Sequence, residues 1–281
     1  MRHTDQHRSL PYLVSIVLSL TLFHTTLGWT QTPIKLHRDG DVLYGMISTQ
    51  FEQKKALALL LHDSLGSMHD QQVLMWAEKL EQADIAVLRI NLRLNDPDRT
   101  GLAPCQDTHK HHHLDALPQL QRWIQWLTQQ GVRHIYLGGI GRGANQVTRL
   151  ATTQQPKLIA GLLLINPLRW NLDQQADRYK QQHNQALFPQ LGRIIKLNMD
   201  GKHKHLVQNI GFFHCQQASV QASSFFSYYN DDSRLDTYAL LKQLTQPVWQ
   251  TLNRVPTQAD TKHLHDFLNE RLMQTVPLTK P

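Results

Sequence analysis

An α/β fold with a mostly parallel sheet and helices on both faces follows from three features of the 281-residue sequence. Unbroken apolar runs such as KALALLL, HIYLGG and LIAGLLLI have the length and composition of strands buried on both faces. Stretches whose apolar residues recur at helical spacing separate these runs. The two alternate along the chain, which implies right-handed βαβ crossovers.

The first residues to be placed lie before the fold. Arg2, His3, His7 and Arg8 make a basic start, and the apolar run Leu10 to Phe23 follows. At about 14 residues, that run is short for a membrane span and suited to the core of a signal peptide. Thr26 and Gly28 supply small residues before a cleavage point at Trp29. The expected organisation is therefore a signal peptide over 1–28 and one domain over 29–281, without a membrane span once the signal is removed. The folded part is expected to face a periplasmic or secreted environment.

Composition narrows the class. A hydrophobic content of 41% supports a sizeable core, so global disorder is excluded. The 29 Lys+Arg against 22 Asp+Glu give a formal charge of +7. Basic residues such as Arg89, Arg93, Arg122 and Arg149 are scattered, with no interleaved aromatics, and nucleic-acid binding is not expected. Cys105 and Cys215 would meet an oxidising compartment, where they either pair or stay free.

The elements then run in order. Ile34 to Ser48 alternates around Asp39-Gly40, a strong hairpin signal. The strand KALALLL ends in the loop HDSLGS. Val73, Trp76, Ala77 and Leu80 mark a helix, and IAVLRINLRL a further strand. Leu117, Leu120, Ile124 and Leu127 share one helical face, and Gly131 stops that helix. The strand HIYLGG, the helix ANQVTRLATTQ and the strand LIAGLLLI follow.

From about 168 to 233 the pattern weakens. A polar helical stretch and the irregular aromatic segment VQASSFFSYYNDD suggest an insertion over the strand ends. RLDTYALLKQLTQ then reads as a helix with Asp236 near its N-cap. PVWQTL is the last strand, and a helix runs from about Asp260 to Gln274.

One turn carries the functional question. Gly139-Ile140-Gly141-Arg142-Gly143 has the outer glycines of a G-x-S-x-G nucleophile elbow, with Gly141 at the serine position. With the opening hairpin, the loop LLLHDSLGSMHD and the segment leading into PVWQTL, the mature chain resembles the α/β-hydrolase superfamily. The loop resembles the family's His-Gly oxyanion loop, although His62 is followed by Asp63 and Ser64 rather than glycine.

The resemblance implies a sheet with an inserted lid, shortened at its C-terminal edge. It also implies a serine, an acid and a histidine, and this chain departs from all three. Gly141 has no side chain. Asp260 falls late, at a helix start. The family has a further strand before its triad histidine, and here a helix takes that place, so His263 and His265 are poor candidates for the base. The expectation is a pseudohydrolase that binds an unknown small ligand or partner protein without a cofactor. The alternative is an active hydrolase with an atypical nucleophile, Ser64 or Ser67. A serine at Gly141 is expected to fold and to stay inert without a base.

Other groupings have two readings each. His109, His111, His112 and His113 are either a metal site, joined by GKHKH over Gly201 to His205, or an exposed polar loop. Asp63 and Ser64 either hold a displaced nucleophile or make local turn hydrogen bonds. Arg142 either attracts an anion at the following helix N-terminus or faces solvent. The strand PVWQTL is expected to be covered by a C-terminal segment or used in edge-strand association.

Overall fold

A computed structural model describes residues 31–38, 40–48, 51, 56–154 and 158–274. The expected signal peptide and the tail TVPLTKP lie outside the described residues.

The chain opens with β1 (Gln31–Arg38) and β2 (Asp41–Ser48), an antiparallel hairpin in which Arg38 pairs with Asp41. Gly40 turns the corner at φ +79°, a conformation that a residue without Cβ adopts freely. Next come β3 (Leu57–Leu61), α1 (Gln71–Gln82) and β4 (Ala86–Ile90). The short β5 (Thr108–His109) precedes α2 (Ala116–Gln129), β6 (Ile135–Ile140), α3 (Arg142–Gln154) and β7 (Ile159–Ile165).

These strands, with the later β10 (Val248–Thr251), form one seven-stranded sheet in the order β1-β2-β4-β3-β6-β7-β10. The pairs from β4 to β10 are parallel, and β2 joins β4 antiparallel.

The period-two rule sorts β3 between two cores. Leu57, Leu59 and Leu61 face one core with Trp123 and Leu127 of α2 and Val147 and Leu150 of α3. Ala58 and Leu60 face the other, with Trp76 of α1. That second core also takes Leu264 and Leu268 of α8 (Gln258–Gln274), packed with Trp249 of β10. β3, β4 and β6 are buried throughout, as their apolar runs require.

The segment after β7 is more regular than its sequence suggests. It contains α4 (Leu172–His183), α5 (Leu187–Met199), β8 (Leu206–Phe212), β9 (Cys215–Gln221) and α6 (Ala222–Tyr229). The stretch read as irregular is thus the end of a strand followed by a helix. β8 and β9 are antiparallel, and β5 joins β9 to make a three-stranded sheet. A third core of Trp170, Tyr179, Ile194, Phe212 and Phe225 lies beneath this cap.

Cys105 and Cys215 are disulfide-bonded, tying the loop before β5 to β9. The helix expected after Ser233 is reduced to a 3₁₀ turn over Ser233–Leu235 and α7 (Thr237–Leu241). Asp236 caps α7 by accepting from Tyr238 N.

Candidate functional site: a closed nucleophile elbow beneath a basic cleft

The elbow keeps the backbone of its type without the nucleophile. Gly141 joins β6 to α3 at φ +56°, in the left-handed region that favours glycine. Its N–H donates to Ile165 O, fastening the turn to the end of β7. The flanking glycines allow α3 to crowd the sheet. A Cβ on Gly143 would strike His62 O, and one on Gly139 would strike the Gly143 backbone.

The missing side chain is replaced from another part of the chain. A Cβ built on Gly141 would lie closer than 3.0 Å to Cγ and both carboxylate oxygens of Asp63. Asp63 follows β3, and its Oδ1 accepts from two backbone donors, Arg142 N at 2.8 Å and Ser64 N at 2.8 Å. Arg142 follows the elbow glycine and Ser64 lies in the loop after β3, the two places from which the nucleophile-elbow motif draws its oxyanion donors. Here the chain's own carboxylate occupies both.

A serine at position 141, expected to fold, meets this carboxylate first: its Cβ must displace the end of the Asp63 side chain. His62, Asp63 and Ser64 lie in the loop after β3, beside the elbow, with the Asp63 carboxylate on the Arg142 and Ser64 backbone donors.

Buried arginine holds Asp63 in place. Arg99 donates Nε to Gly66 O at 2.8 Å and Nη1 to Leu92 O at 2.6 Å, and Nη2 also reaches Gly66 O. The same Nη2 meets Nε2 of His62 at 2.9 Å. Gly66 N closes a turn onto Asp63 O. Burial, with the Arg99 charge beside it, pushes His62 down to about 3. The ring is therefore neutral and accepts hydrogen bonds, so His62 is an anchor for the loop rather than a base. Burial lowers Arg99 to about 10, which leaves it charged at neutral pH.

The two serines are engaged in turns. Ser64 Oγ donates to Asp63 Oδ1 at 3.0 Å, and Ser67 Oγ donates to Asp70 Oδ1 at 3.2 Å. Neither hydroxyl has an imidazole partner among the described residues. Asp260 sits in a reciprocal cap with Thr257 at the start of α8 and also accepts from Thr251 and Asn253. Those hydrogen bonds outweigh the upward push of partial burial and hold it at about 2. His263 and His265 lie on α8 and do not line the cleft at the elbow.

The histidine run is not the exposed loop of the second sequence reading. His109, His111 and His113 are buried under the cap, while His112 is partly exposed. Alternate residues of an extended segment share a face, and His109, His111 and His113 all turn inward under the cap, each to its own surroundings. His111 Nδ1 meets Tyr228 OH at 2.8 Å, His113 Nε2 meets Asn145 Oδ1 at 2.8 Å, and His112 Nε2 meets Ser223 Oγ at 3.0 Å. Burial, with His109 beside one and Arg142 beside the other, pushes His111 and His113 each down to about 3. Among the described residues the four imidazoles do not form a grouping with metal-ligand spacing. The one grouping with metal-ligand spacing among the described residues is Cys105, His214 and Cys215, and its sulfurs are bonded to each other.

Arg142 is likewise not a solvent-facing residue. It is 6% exposed, and its guanidinium carbon lies 4.9 Å from the Trp170 ring, 5.3 Å from Phe213 and 5.6 Å from Tyr228. It forms one wall of a cleft of about 500 Å³ between the strand ends and α4 of the cap. Nothing in the local sequence announced this burial, because the three rings come from distant parts of the cap.

No protein-family model and no curated protein sequence matches the chain. Solved structures do. Est1E from Butyrivibrio proteoclasticus matches with a TM-score of 0.56 and 12% identity, over 86% of this chain and 99% of that one. The esterase Pf2001 of Pyrococcus furiosus matches with a TM-score of 0.53 and 13% identity, over 97% and 99%. DcsB, solved with a substrate analogue, gives 0.55 and 12% over 88% and 100%. Likeness at this identity carries the fold alone. With the sheet order and the glycine elbow, it establishes that this chain has the α/β-hydrolase fold.

Proposed function

We propose that the protein is an exported, non-catalytic member of this fold, a pseudohydrolase that binds a ligand or a partner protein through the cleft above the elbow. The observation that carries the reading is the Asp63 carboxylate, seated on the backbone donors of Arg142 and Ser64 over a glycine without a hydroxyl. An acyl transfer needs a nucleophile, a base within hydrogen-bond reach and free donors for the developing oxyanion. At this elbow the first is absent and the last are occupied. Ligands in open α/β sheets bind outside the carboxyl ends of the strands, which is where the cleft lies.

Export draws on two further features. The basic, then apolar, first 28 residues have the layout of a signal peptide. Both cysteines are committed to one disulfide, which suits an oxidising compartment.

Two experiments test these parts separately. Purified mature protein should not hydrolyse a panel of p-nitrophenyl esters; turnover that disappears in Ser64→Ala or Ser67→Ala would establish the active-hydrolase alternative. N-terminal sequencing of the exported protein should begin near Trp29, and an intact Met1 on a soluble cytoplasmic form would overturn the export assignment.

A further inference from the structure

The walls of the cleft carry an excess of positive charge. Arg142, Arg169, Arg178 and Arg254 line it, against one acidic side chain, Asp63. Asp63 is already engaged: Oδ1 by the two backbone donors, and Oδ2 4.0 Å from Nη2 of Arg254. With its amide turned over, Asn166 would also place its oxygen 3.0 Å from Nε and 3.2 Å from Nη2 of Arg254. Among the described residues, Arg142, Arg169 and Arg178 form no ion pair with a carboxylate.

Arg142 is the centre of this imbalance. Its side chain is buried, and Nη1 has no hydrogen-bond partner. The three surrounding ring faces stabilise a cation while stripping its water, and they offer no oxygen to the guanidinium edge. Gln175 Nε2 and His183 Nδ1, on the cap side of the same cleft, are also buried without partners. A buried donor without an acceptor calls for one from outside the protein, and the side chains that carry these three nitrogens line the same cleft. The N-terminus of the 13-residue α3, which begins at Arg142, adds a partial positive charge at the same point.

We infer that the cleft binds a small organic oxyanion. Its carboxylate or phosphate sits against the Arg142 guanidinium, and its body lies between the cap and the strand ends beside Phe213 and Tyr229. A cleft of about 500 Å³ between cap and sheet is the size of a small-molecule site rather than a flat protein interface. Arg169 and Arg178, exposed at the rim, draw the anion in. This assignment rests on the binding role proposed above and names the class of ligand.

Calorimetric titration of the full mature protein at low ionic strength tests it, with phenyl phosphate, benzoate and the neutral benzamide as probes. Both anions should bind, and benzamide should bind about tenfold more weakly or worse, because it lacks the charge-assisted hydrogen bonds. The stronger of the two anions identifies the preferred head group. Arg142→Met should weaken anion binding by about tenfold or more. Because that residue is buried, Arg169→Gln/Arg178→Gln provides a second variant in exposed positions, with an expected loss of several-fold and a shallower salt dependence.

Benzamide binding as tightly as benzoate, no binding of either anion, or unchanged affinity in both variants would each overturn the inference. Anion binding accompanied by ester turnover would overturn the non-catalytic reading while supporting this one. Absence of both turnover and anion binding would do the reverse.

Discussion

Asp63 and Gly141 share one space: the carboxylate of the first stands where the side chain of any other residue at the second would begin. The pair is therefore coupled, and neither position can be read alone. Gly141→Ser should destabilise the fold by about 1–3 kcal/mol, the usual cost of forcing extra atoms into a packed site. Asp63→Ala in the same chain should recover part of that loss, giving a coupling energy of about 0.5–3 kcal/mol in a double-mutant cycle. Simple additivity in denaturant melts would show that the two residues do not compete for this space.

Arg99 fastens the loop that carries Asp63, through carbonyls of Gly66 and Leu92 and the ring of His62. Arg99→Met should leave these buried acceptors unpaired and lower stability by about 3 kcal/mol. Chemical denaturation with an unchanged m-value would report this as a stability loss rather than a change in the unfolded state.

Three buried imidazoles make the fold sensitive to acid. His62, His111 and His113 are each pushed from the ordinary 6.5 to about 3 in the folded state. Between those values the unfolded chain binds protons that the folded chain refuses, so stability rises with pH through that window and falls as pH drops below 6.5. By pH 5 the loss should be roughly 1–2 kcal/mol per histidine. Melting temperature measured from pH 7.5 to 4.5 should decline, and His113→Gln should flatten the decline. A profile level across this range would contradict the buried, neutral state of the three rings.

The disulfide closes a sequence separation of 110 residues and joins the cap to the loop before β5. Its removal as Cys105→Ser/Cys215→Ser should cost about 2–5 kcal/mol, the upper end matching the chain entropy of a loop of this size. An unchanged melting transition on reduction would show that the bond adds nothing to the fold.

At the far side of the sheet, β10 is paired with β7, and no described strand lies beyond it. α8 places Leu264 and Leu268 with Trp249 in the core on the α1 face. The outer edge is a candidate for association with another chain. Amide hydrogen exchange over Val248 to Leu252 should be slow at every concentration where a C-terminal segment covers the edge, or should slow as protein concentration rises where the edge associates. Equally fast exchange at every concentration would show that the edge is neither covered nor used.

Much of this architecture could be read in advance because it depends on local pattern. LALLL and IAGLLLI are long enough only for strands and apolar enough only for a two-faced core. The Gly139, Gly141, Gly143 spacing marked the turn that α3 leaves. The cap strands were hidden because β8 and β9 carry exposed glutamine and asparagine in pairs that break the alternation of a strand, and bulges break their register. The polar character of His109, His111, His113 and Arg142 suggested solvent. Their burial depends on Tyr228, Phe212 and Trp170, which arrive from distant segments. The partnership of Asp63 with Arg142 spans 79 residues and has no local signature.

The most direct test of the sealed elbow is covalent labelling by an alkyl fluorophosphonate, which needs an activated hydroxyl and free oxyanion donors. Intact-mass measurement of the wild-type protein after incubation should show no adduct, with a competent serine esterase labelled in parallel. A stoichiometric adduct that maps to Ser64 or Ser67 would contradict the account, since it would mean that the Asp63 carboxylate leaves those donors and that a nucleophile operates beside it.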